Sequence, residues 1–191
     1  MTTPGRDSAP ADTVGRTITV VVIPADPARP PRLATLDSVD TDTLRALAGG
    51  LEPVDLERAG AVLWTADTPL PASTALNARA TALAAFHPRR FRLDQRIHGD
   101  AVLTGLTIHH DEVTLLDAPG LYRDLLTATG YQVQVRAPYS TGWIVLGEHH
   151  TSLAGAYQAT RDVAHATLPR TRGRFLTARL TPHPASAAPG S

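Results

Sequence analysis

Apolar and polar positions divide this chain into short strands and short helices. "TITVVVIPA" at 17–25 is β-branched and almost continuous, the pattern of a central strand. "DPARPP" then turns the chain, and "RLATLDS" alternates as a second strand. In "SVDTDTLRALAGG" at 38–50, Asp40 or Thr41 can cap a helix bearing Leu44 and Leu47, and Gly49 and Gly50 supply its left-handed stop. "LEPVDL" and "GAVLWTAD" read as strands joined by a turn at 57–60. A second helix is expected over 73–86, with Ser73 or Thr74 as cap and Leu76, Ala80 and Leu83 on its core face. "IHGDAVLTGLTI" at 97–108 begins with Gly-Asp and runs on as an apolar strand.

The pattern restarts after residue 108. "APGLYRDLLTATG" at 118–130 predicts a helix with Pro119 near its start and Gly130 after its end. "YQVQVRA" alternates as a strand, "PYST" turns, and "GWIVLGE" returns. "TSLAGAYQATRDVAHATL" at 151–168 predicts a helix capped by Thr151 or Ser152, and "RFLTARL" at 174–180 a last strand. The expected class is α+β, built as ββαββαβ followed by αββαβ. Mostly antiparallel sheets should carry helices on one face. The expected domains are 16–107 and 108–181, between loose, disordered segments at 1–15 and 182–191 rich in Pro and small or polar residues.

Composition narrows the chemistry. Apolar residues make up 42%, enough for a globular core over 191 residues. Cysteine is absent, so disulfides, thiol catalysis and thiolate metal sites fall away together. All 18 basic residues are arginine, which removes Schiff-base chemistry and a P-loop lysine. Charges balance at 18 against 18, and neither half is strongly basic. Nucleic acid is therefore admitted only through a local patch. No apolar run reaches the roughly 18 residues of a membrane span, and the first residues lack the apolar core of a signal peptide. A cytoplasmic protein is expected.

Two histidine clusters, "IHHDE" at 108–112 and "GEHH" at 147–150, carry the types of side chain that bind zinc, iron or manganese. Adjacent residues on a strand face opposite ways, so His109 and His110 cannot easily share an ion. Glu112, Glu148 and His149 form the better set for a metal-dependent hydrolase, held here as an alternative. No serine-nucleophile elbow and no Gly-rich nucleotide turn is present, and His165 stands alone between alanines.

Arginine offers the other candidates. Arg89, Arg90, Arg92 and Arg96 follow the second helix, and Arg170, Arg172 and Arg174 precede the last strand. Guanidinium forks suit phosphate groups. The second arginine run is the basis of a DNA-associated alternative, although stacking aromatics are scarce around both runs. Asn77 and Arg79 interrupt the second helix. Asn is a poor interior helix residue, because its amide competes for backbone hydrogen bonds. It marks either a bend tied to Asp100 at the next strand or the polar wall of a site. The candidate ligand set is Asn77, Arg79, Arg89, Arg90 and Asp100, with no catalytic or metal residue assigned.

"LRALAGGLEPVDL", "LNARATAL" and "IHGDAVLTG" together resemble a family of uncharacterised small domains encoded by phages, plasmids and actinobacterial genomes. The matching positions are Gly49, Gly50 and Glu52, then Asn77, Arg79, Ala80 and Thr81, then Ile97, Gly99 and Asp100. The resemblance covers about residues 17–106. It departs at "TADTPLPAS", where family members have a short acidic Asn-Glu turn. The resemblance implies a mobile-element accessory protein and carries no activity with it. With the arginines, it leads to the expectation of a cofactor-free, non-enzymatic protein that binds a small phosphate-bearing molecule or a host protein in defence or counter-defence.

Overall fold

A computed structural model describes residues 15–56, 60–67, 69–71, 73–85, 95–109, 112–137, 140–167 and 177–183. In chain order the elements are β1 (Thr17–Ile23), β2 (Arg32–Asp37), α1 (Thr41–Ala48), β3 (Glu52–Asp55), β4 (Ala61–Thr65), α2 (Ala78–Ala85) and β5 (Ala101–His109). They continue as β6 (Glu112–Leu116), α3 (Gly120–Thr127), β7 (Tyr131–Arg136), β8 (Ile144–His150), α4 (Leu153–Thr167) and β9 (Thr177–Pro182). The class is α+β, and each pair of described strands is antiparallel.

The larger sheet has the order β2-β1-β5-β4-β3, and β6 also pairs with β5. Strand β5 is long enough to serve two neighbours along one edge, Ala101–Leu103 pairing with β1 and Gly105–His109 with β6, while Val102–Gly105 pair with β4 along the other. Gly105 sits where β5 passes the end of β6, and a Cβ there would collide with the Asp117 carbonyl. The smaller sheet is β8-β7-β9.

The continuous apolar run of β1 reflects burial on both faces. Ile18, Val20 and Val22 pack with Leu44 and Ala48 of α1. Val21 and Ile23 face the other way, into a cluster with Leu83 of α2, Leu125 and Leu126 of α3, and Val133 of β7. Each such fully buried aliphatic side chain stabilises the fold by about 1.5–3 kcal/mol. Helices therefore cover both faces of the larger sheet, not one as the sequence suggested, because a strand apolar at every position has two faces to bury. Leu153 and Ala156 of α4 and Leu180 of β9 belong to the same cluster as Ile23, so one core runs through both sheets. The boundary expected at 107/108 falls inside β5, and β6 belongs to the larger sheet.

Helix α1 begins and ends as its sequence predicts. Asp40 accepts from the Thr43 N–H, and Gly49 adopts the left-handed conformation with φ 76°. Helix α2 does not. It starts at Ala78, and Asn77 rather than Ser73 or Thr74 is its cap, with Oδ1 accepting from Ala80 N at 3.0 Å. Leu76, expected on the core face, is 46% exposed, whereas Asn77 is fully buried. No described helix is long and apolar enough to cross a membrane.

Candidate functional site

Two of the five residues singled out in the sequence, Arg79 and Asp100, bind the loop of residues 24–31 that follows β1, and a third, Asn77, binds Ile23 just before it. Asn77 donates through Nδ2 to the carbonyls of Ile23 (2.9 Å) and Gly99 (3.0 Å). Its backbone N–H donates to Ile97 O (2.8 Å), so this residue joins α2 to two strand ends. Arg79 lies two residues further on, in the first turn of α2. Its guanidinium donates to Arg29 O (2.9 Å) and Pro27 O (2.8 Å), with Asp26 O at 3.5 Å. The proline-rich loop has few N–H groups to pair its own carbonyls, and the guanidinium fork meets that need. Asp100 accepts from Ala25 N at 2.9 Å, and its other oxygen lies 4.0 Å from Arg29, an exposed pair that contributes little. Arg89 and Arg90 lie outside the described residues, as do Arg92, Arg170, Arg172 and Arg174.

Beside this loop is a cleft of about 400 Å³, within the range of small-molecule sites. Pro24, Pro27, Pro30 and Pro31 form part of its lining, with Asn77, Ala78 and Arg79 from the start of α2. The rest comes from the second half of the chain: Leu126–Thr129, Tyr131, and Thr151–Ala154 at the start of α4. Asp100 is not on the lining.

Two helix starts thus meet at one cavity. Helix α4 is capped by Ser152, whose Oγ accepts from Gly155 N at 3.1 Å. In each helix the cap satisfies the third N–H, while the first two have no acceptor within the helix. Those first two residues, Ala78 and Arg79 in α2 and Leu153 and Ala154 in α4, all line the cleft. Helix N-termini carry partial positive charge and favour anions. Among the described lining residues Arg79 is the one charged side chain, and none is a carboxylate. Tyr131 has its phenol pKa raised by burial, an effect that the neighbouring Arg79 charge partly opposes.

A second cleft, about 430 Å³, lies along β3 and residues 95–98. Its lining includes Glu52, Asp55, Arg96 and His98, and His98 Nδ1 donates to Thr74 O at 2.9 Å. The mixed charge there makes it the poorer host for an anion.

The histidine clusters do not assemble among the described residues. No group of three His, Asp or Glu side chains converges as metal ligands among them. His149 hydrogen-bonds Gln132 (3.3 Å) and stacks on His183 with ring centroids 3.6 Å apart. The side chains of His109, Glu112 and Glu148, and all of His110, lie outside the described residues.

Sequence reasoning found one wall of the first cleft. The other wall carried a signal in the Thr151–Ser152 cap, but nothing local says that this helix start lies against that of α2. No protein-family model matches the chain, and no curated protein or solved structure is significantly similar to it.

Proposed function

We propose that this chain is a non-enzymatic binding protein that holds a small phosphate-bearing molecule in the cleft between the starts of α2 and α4. The observation that carries this reading is the charge on the cleft's lining: two capped helix starts and Arg79, with no carboxylate among the described lining residues. Phosphate oxygens would take the first-turn N–H groups that have no acceptor within the helix, while the proline side chains and Tyr131 would flank the rest of the ligand. Arg79 contributes its charge and also fixes the 24–31 loop that forms one wall. The resemblance to phage, plasmid and actinobacterial domains adds, by association, a role in defence or counter-defence.

Titration calorimetry with pyrophosphate, AMP and ATP at low ionic strength tests the site. Arg79 is a poor probe, because its removal also frees the loop. Ser152→Asp is a cleaner one: aspartate caps a helix as well as serine does and suits the N-terminal dipole, yet it adds negative charge to the cleft. The native protein should bind at least one of these probes, and Ser152→Asp should weaken it on the order of tenfold or more, about 1.4 kcal/mol, with thermal stability retained. Equal binding by the variant, or none by the native protein, contradicts the assignment.

A further inference from the structure

The smaller sheet presents α4 with Tyr131, Val133 and Leu180, which join the core with Leu153 and Ala156. Alternation sends Gln132, Gln134 and Arg136 of β7 to the opposite face, where Thr181 and Arg179 of β9 stand across from Gln132 and Gln134. On that face the Arg136 guanidinium carbon lies 4.8 Å from the Trp143 ring centroid, and that of Arg179 lies 4.0 Å away. Gln134 Oε1 accepts from Arg179 Nε at 3.0 Å, which fixes this guanidinium in place. Neither arginine has a carboxylate within ion-pair distance among the described residues.

One indole thus gathers two like charges that no described acid neutralises. The stacked His149 and His183 rings lie on strand β8 and just after β9, and His149 is bonded to Gln132 of the same face. Two buried polar atoms there, Thr181 Oγ1 and His183 Nδ1, have no partner among the described residues.

We infer that this face binds single-stranded nucleic acid. Unpaired bases stack on aromatic rings and on guanidinium planes, phosphates pair with guanidinium, and glutamine amides hydrogen-bond base edges. All three kinds of group are present on this one sheet face. From Gln132 to Arg136 the strand rises roughly 14 Å, room for about two or three bases, as on other sheet platforms. Base planes and phosphates are common to DNA and RNA, so a DNA probe addresses this chemistry. A duplex hides its base planes and should bind less well.

The test is fluorescence anisotropy of a labelled single-stranded random 12-mer DNA, and of its duplex, on the full chain at low salt. A Trp64→Phe background leaves Trp143 as the only tryptophan, and its emission should change on binding. Arg136→Gln with Arg179→Gln should weaken single-strand binding at least tenfold and reduce the slope of log K against log salt by about 1.4. Arg179→Gln alone, at an exposed position, should show a smaller loss in the same direction and serves if the double variant fails to fold. Ser152→Asp should leave this binding unchanged, which separates it from the cleft. Absence of single-strand binding, equal binding of the duplex, or an unaffected folded arginine variant overturns the inference.

Discussion

Asn77 commits each of its polar groups to the chain. Its amide caps α2 and bridges the Ile23 and Gly99 carbonyls, and its backbone N–H reaches Ile97. Asn77→Ala should therefore cost about 2–4 kcal/mol, from a lost cap and two unmatched carbonyl acceptors. Urea denaturation reads this directly, and a loss below 1 kcal/mol would contradict the assigned bonds. The sequence marked Asn77, Arg79 and Asp100 as out of keeping with a plain helix, because an amide among alanines needs a reason. It did not reveal their partners, since Asn77 reaches back to the end of β1 and forward to Gly99, and Arg79 binds carbonyls of a loop some fifty residues earlier. Trp143 carried less signal still: it reads as the first apolar residue of a strand, and its arginine partners come from two other strands.

Among the elements, strand β6 was the one the sequence concealed. "EVTLL" is short, follows a polar hairpin and contains a threonine, so its identity rests on pairing with β5. Asp117, just after it, accepts from Thr19 N and has Arg16 nearby at 3.5 Å, and Ala118 N donates to Thr19 O. These contacts join the end of β6 to β1. The Thr19 hydrogen bond, with help from Arg16 and Arg123, lowers the Asp117 pKa against the opposing effect of desolvation. A carboxylate whose folded pKa is depressed stabilises above its ordinary value near 3.8 and loses that contribution as pH falls through the lower folded value. Asp40, lowered by its bonds to Thr43, acts in the same direction over the same range. Asp117→Asn should thus reduce stability at neutral pH and flatten the acid limb of a stability–pH curve below about pH 4. An unchanged acid limb would show that Asp117 is not part of it. Helix caps were more legible where the cap adjoins its helix in a polar run, as at Asp40 and Ser152. At α2 the capping residue lies inside an alanine-rich stretch, and tertiary bonds to the strands decided the start.

At the scale of the whole molecule, α+β class and the order of most elements could be read from periodicity, but the sharing of one core by two sheets could not. Val21 and Leu180 lie in the same cluster although nearly the whole chain separates them. Cooperative unfolding follows, and the two tryptophans report on it, Trp64 in the larger sheet and Trp143 beside the smaller. Trp64→Phe and Trp143→Phe should each unfold in one urea transition that coincides with the far-UV signal of the same variant. Separate midpoints would mean two independent units. Charge balance over the chain likewise conceals local features, a cleft with Arg79 on its lining and a sheet face with two arginines that no described acid neutralises. The cleft depends on two helix starts meeting across the shared core. The most direct measurement is pyrophosphate and nucleotide titration of the native protein beside Ser152→Asp. Binding by the native protein that falls tenfold or more in an equally stable variant is the predicted result. Binding that ignores the added carboxylate would place the ligand elsewhere, and no binding of any probe would remove the anion site.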